Sequence, residues 1–153
     1  MIKCYRNNAD SCCISAHDSQ IATEMSNFLS TSCERRFPEL EYYFCYGCHY
    51  TEPDSTDTTN KKIRLCKDFA ERLWGEDIDK STTKFDSCGF MVGGEVVIPS
   101  SKWADGNAFF AERLPPLFSD YTIEIVSGDE DCFNRAVQQG LSLSMIVLAI
   151  MLY

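Results

Sequence analysis

Residues 4–48 read CYRNNADSCCISAHDSQIATEMSNFLSTSCERRFPELEYYFCYGC and hold six of the chain's nine cysteines, with Cys66, Cys88 and Cys132 following. A reducing cytosol gains nothing from thiols at this density, whereas in an oxidising compartment each cystine closes a loop and contributes roughly 2–4 kcal/mol. The chain is therefore expected to be an extracellular domain. Nine is odd, so at least one cysteine is free, bonded between chains or bonded to a residue outside this sequence.

With 153 residues the chain has the length of one domain. Its 23 acidic against 14 basic residues give a formal charge of −9, which argues against a nucleic-acid backbone or an anionic membrane surface as partner. Met1-Ile2-Lys3 is too short for the apolar core of a signal peptide. The expectation that follows is an N-terminus lying further upstream, carrying both a signal and a partner for the ninth cysteine. No N-x-S/T sequon is present.

Ile21, Met25, Phe28 and Leu29 recur at helical spacing, predicting a helix over Ala16–Ser32 with Asp18 and Ser19 as caps. Polar, acidic Thr51–Asn60 reads as a surface loop without core residues. Leu65, Cys66, Phe69, Ala70, Leu73 and Trp74 trace one face of a second helix that Gly75 ends. Strands are predicted at Glu95–Ile98 and at Tyr121–Val126, and Asp105 is predicted to cap a short helix through Phe109, Phe110 and Arg113 that Pro115-Pro116 stops. The fold class expected is α+β, a small, helix-rich, disulfide-stapled domain over residues 1–133 with an apolar segment over 134–153.

Leu141–Tyr153 carries no charge and only two serines. Thirteen residues rise about 20 Å as a helix, short of the roughly 30 Å hydrocarbon core, so a GPI-attachment signal fits better than a transmembrane span. Asn134-Arg135-Ala136 is the favoured attachment site, with Asn134 bearing the lipid; Ser127-Gly128-Asp129 competes but would cut away Cys132. A retained tail would have to be buried as a helix, against this domain or against copies of itself in a fibre or sheet.

The cysteine spacing resembles the folate receptor family. Cys4, seven residues and the vicinal pair Cys12-Cys13 are similar to its opening; Cys33-Glu34-Arg35-Arg36-Phe37 is similar to its cysteine, basic pair and phenylalanine. Cys45-Tyr46-Gly47-Cys48 resembles its close pair around a tyrosine, and Leu65-Cys66-Lys67-Asp68 with Trp74 its Leu-Cys-Lys helix. Carried over by position, the resemblance implies the cystines Cys4–Cys45, Cys13–Cys48, Cys33–Cys88 and Cys66–Cys132, with Cys12 unpaired in this sequence because the family bonds that cysteine upstream.

The departures concern the ligand. Where folate receptors place a pterin-binding aspartate, two residues before the close pair, this chain has Tyr43, and Thr51–Asn60 lacks the family's ligand-stacking tryptophan and its arginines. Tyr42, Tyr43, Phe44, Tyr46 and Tyr50 read either as core packed against cystines or as a binding surface, to which Tyr43, Tyr46 and Trp74 would contribute.

Two metal chemistries compete for the same cysteines. Cys45-Tyr46-Gly47-Cys48-His49 completes the C-x-x-C-H pattern of covalent haem attachment, with Met91 as one of five candidate axial methionines, although haem would strand Cys4 and Cys13. Cys45, Cys48 and His49 with Cys66 or Cys88 spell a zinc set that an oxidising compartment disfavours. His17 has no acidic neighbour beyond Asp18, and nothing reads as catalytic.

The function expected is non-enzymatic: a cell-surface binding or adhesion domain without cofactor or metal, facing an extracellular ligand or protein and held on the outer membrane leaflet. Self-assembly into an extracellular filament is the alternative. Because Tyr43 replaces the pterin-binding carboxylate and a buried polar ligand needs its partners matched, titration with folate is expected to show no saturable binding at micromolar concentration.

Overall fold

The computed structural model describes residues 4, 13–49, 52–127 and 131–133. Cys12, Tyr50, Asn134 and the whole segment 134–153 lie outside them, and so do the expectations that fall on those residues.

The sulfurs of Cys4 and Cys45, Cys13 and Cys48, Cys33 and Cys88, and Cys66 and Cys132 are bonded, with Cα atoms 5.6, 5.0, 5.4 and 5.0 Å apart. The domain is a disulfide-stapled α+β fold. Among the described residues no helix is long and apolar enough to cross a membrane.

Helix α1 spans Ser15–Phe28 and buries Ile21, Met25 and Phe28. The helix predicted through Ser32 instead stops at Phe28, because Leu29 turns extended and forms an antiparallel bridge with Phe90. Ser30 then caps a separate helix, α2 (Thr31–Arg36), by accepting the Cys33 N–H at 3.2 Å. Asp18 is no cap either. It lies inside the first turn of α1, 4% exposed, and its Oδ1 accepts the Cys4 N–H at 2.9 Å, while the Ser19 hydroxyl donates back to the Ser15 carbonyl. Phe37 breaks the chain between α2 and α3 (Pro38–Phe44), as the residue before a proline does, and Pro38 opens α3 at a position where no N–H is needed. A 3-10 turn over Tyr46–Cys48 follows.

The predicted surface loop at 51–60 is a second departure, since it contains α4 (Glu52–Ser55) and β1 (Thr56–Asp57), and Ser55 is 1% exposed. β2 (Lys62–Cys66) takes Leu65 and Cys66, which the helical pattern had assigned to the following helix, so α5 runs only over Lys67–Trp74. Alternation decides this: Ile63 and Leu65 face the core while Lys62, Arg64 and Cys66 are half-buried in the ladder. Gly75 ends α5 at φ 140°, its N–H on the Glu71 carbonyl.

β3 (Phe90–Val92) and β4 (Glu95–Val97) form a hairpin turned by Gly93-Gly94, both at positive φ. After the one-turn α6 (Pro99–Lys102), Asp105 caps α7 (Gly106–Glu112) as predicted, accepting the Ala108 N–H at 2.7 Å. β5 (Thr122–Val126) lies parallel to β2 in a sheet ordered β1-β2-β5, and beyond it Phe133 bridges Leu65.

The helices pack on an aromatic core. The ring of Phe109 stands 5.2–6.3 Å from those of Phe28, Trp74, Phe90, Trp103 and Phe110. Gly106 lets α7 approach α5: a Cβ there would come 2.7 Å from Ile78 Cγ1 and 2.9 Å from Trp74 Cγ. Gly106→Ala is therefore expected to lower unfolding free energy in a denaturant titration by about 1–2 kcal/mol, overpacking outweighing the gain in helix propensity.

Candidate binding site

None of the three aromatics proposed as a surface is at the surface. Tyr43, Tyr46 and Trp74 are each 0% exposed. Each buries because its polar atom finds a partner inside. The Tyr43 hydroxyl donates to the Arg113 carbonyl at 2.6 Å, Tyr46 Oη lies 2.9 Å from Ser55 Oγ and 2.6 Å from Thr56 Oγ1, and Trp74 Nε1 donates to the Lys80 carbonyl at 2.8 Å. Burial raises the Tyr43 phenol well above its usual pKa.

The C-x-x-C-H pattern is likewise spent on structure. Cys45 and Cys48 are cystines, leaving no thiol for a haem thioether, and Cys66 and Cys88, the remaining zinc candidates, are cystines too. His49 is half-buried with its ring edge-on to Phe133 at 5.3 Å and 5.8 Å from Tyr42.

A cleft of about 710 Å³ opens elsewhere, between α1 and the chain that follows α7. From α1 come His17, Gln20, Glu24 and Phe28, spaced to share one helix face. Phe44 of α3 adds a second ring, and the opposite wall is the run Glu112–Leu117 with Ser119. That wall is held from behind. Pro115-Pro116 prevents α7 from continuing, Leu117 adopts φ 78°, Phe118 stacks edge-on to Tyr46 at 5.3 Å, and the Tyr43 hydroxyl anchors the Arg113 carbonyl. Gly47 permits this seat, since a Cβ there would come 2.7 Å from the Phe118 ring.

The neighbours Glu112 and Arg113 set the charge of the wall. Glu112 accepts Lys102 Nζ at 2.7 and 2.9 Å and Trp103 Nε1 at 2.9 Å, and the Lys102 hydrogen bond is the main reason its carboxyl sits below the usual range. Arg113 lies with its guanidinium 4.8 Å over Phe28 and 5.9 Å from Trp103. Among the described residues its nearest carboxylate oxygen, Glu112 Oε1, is 3.6 Å away and already bonded to Lys102, and Arg113 Nε is shielded with no hydrogen-bond partner. A cleft of mixed polar and apolar lining with a half-satisfied cation is suited to holding a ligand by shape and charge.

The chain matches no family model, no curated protein and no solved structure.

The lining residues were nearly invisible as a group. In the sequence His17 reads only as a lone histidine and Arg113 only as a helix terminus. The polar set His17, Gln20 and Glu24 is the complement of the apolar Ile21, Met25 and Phe28 pattern, which is the one signal that pointed to a solvent-facing stripe on α1.

Burial pushes the His49 imidazole below its ordinary value of 6.5. The folded state then binds fewer protons than the unfolded one on the acid side, so this contribution to stability is full above pH 6.5 and is lost as pH falls through the folded value. Denaturation midpoints are expected to drop as pH falls below about 6.5, and His49→Phe is expected to flatten that slope; an unchanged slope in the variant would assign the pH dependence to other groups.

Proposed function

We propose that the protein is a non-enzymatic cysteine-rich binding domain of the cell exterior, folate receptor-like in its frame and altered in its ligand, which enters the cleft between α1 and residues 112–119. Four cystines mark a chain of an extracellular or secretory compartment. They join cysteines in the order that the resemblance implies, which supports the frame. The cleft supports the function, and the single observation that carries it is Arg113: a cation lining the cleft, 4.8 Å from the Phe28 ring and 5.9 Å from the Trp103 ring, whose one near carboxylate among the described residues is already held by Lys102.

The pterin contact of the family has no counterpart, because the Tyr43 phenol is turned inward onto the Arg113 backbone. Attachment to the outer membrane leaflet through Asn134 belongs to the same proposal and rests on the uncharged apolar run Leu141–Tyr153. Self-assembly through that run rests on residues outside those described.

The test is amide-resolved NMR of the isotope-labelled domain against a panel of small neutral, anionic, cationic and zwitterionic compounds. At least one class is expected to shift resonances of residues 17–28 and 112–119 in a saturable way. Shifts confined to other faces, or none with any class, would remove the cleft as the binding site.

A further inference from the structure

We infer that the cleft selects a zwitterion, a ligand carrying both an ammonium and a carboxylate; this rests on the cleft being the site proposed above. Opposite walls carry opposite charges that are not spent on one another. Among the described residues the one carboxylate near Arg113 is Glu112, at 3.6 Å, and it is taken by Lys102 and Trp103, so the three charges Lys102, Glu112 and Arg113 leave one positive. On the facing wall Glu24 is exposed, and among the described residues no cation pairs with it.

The two poles share a floor. Glu24 stands one helical turn before Phe28, the residue whose ring lies under the Arg113 guanidinium. An anion alone would satisfy Arg113 and face repulsion from Glu24; a cation alone would meet the reverse, and a neutral apolar compound would cover both charges without partners. A ligand with both charges answers both walls, through a guanidinium–carboxylate pair at one end and an ammonium–carboxylate pair at the other.

Between the poles the lining is mixed, with Phe28, Phe44, Pro115 and Pro116 nearly buried beneath it and Leu117 half-buried. The volume of about 710 Å³ admits either of two sources of this chemistry, a free aromatic amino acid or a short peptide with open termini.

Calorimetry and the same amide-resolved spectra with phenylalanine, phenylalanylphenylalanine and their N-acetyl and C-amide derivatives test this. Saturable binding of the amino acid or of the dipeptide is expected, and which of them binds identifies the source. Acetylation and amidation are each expected to weaken it by about tenfold or more. Glu24→Gln, on the exposed face of α1, is expected to abolish the penalty for acetylation while retaining the native spectrum elsewhere, and Arg113→Met to abolish that for amidation. Equal binding of capped and uncapped ligands overturns the inference. Cleft shifts produced by neutral or singly charged compounds but by no zwitterion overturn it and leave the cleft as the binding site; no cleft shifts with any compound overturn both.

Discussion

Four cystines make an unbroken series of overlapping loops, and the rest of the fold depends on them. Cys4–Cys45 and Cys13–Cys48 interlock, Cys33–Cys88 begins inside both, and Cys66–Cys132 begins inside the third. Taken singly, closures of 41, 35, 55 and 66 residues each remove about 4 kcal/mol of unfolded-chain entropy in the loop model. Because the loops overlap, these terms do not add. Against the roughly 5–15 kcal/mol that separates folded from unfolded domains, even one is large. A chain with β-strands of two to five residues has little ladder to hold it, so the crosslinks and the aromatic core carry the architecture.

The cystines also decide what the aromatics do. Pinning Cys45 and Cys48 draws the turn between them into the interior, where Tyr46 must find oxygen partners; α4 and β1 supply them through Ser55 and Thr56. Tyr43, one turn earlier, reaches across to the Arg113 carbonyl. That single bond couples the stapled half of the molecule to the wall of the cleft. A side chain that would serve as a ligand contact at the surface thus serves as a strut, and the cleft it supports is lined by other residues altogether.

Much of the fold was legible in the chain. The face Phe69, Ala70, Leu73 and Trp74, the Gly75 stop, the Asp105 cap and the strands near 95–98 and 121–126 follow from periodicity and end chemistry that act within a few residues. Leu29 and Leu65 were misassigned for a common reason: each continues a helical apolar pattern, but each is claimed by a distant strand partner, Phe90 in one case and Ile125 in the other. A polar stretch likewise hid Ser55, whose burial is set by a tyrosine hydroxyl nine residues away.

The amino-acid sequence alone determined the compartment, the class of fold and the local helix ends, since cysteine density, apolar periodicity and capping residues act through short-range chemistry. Only the tertiary structure decided which polar groups are spent. Whether Tyr43 is a contact or a strut, whether Cys45 and Cys48 are ligands or staples, and whether Glu24 and Arg113 face one cleft depend on which distant elements meet. Burial makes each such meeting exclusive, because a hydroxyl, sulfur or guanidinium satisfied inside the protein is no longer offered outside it.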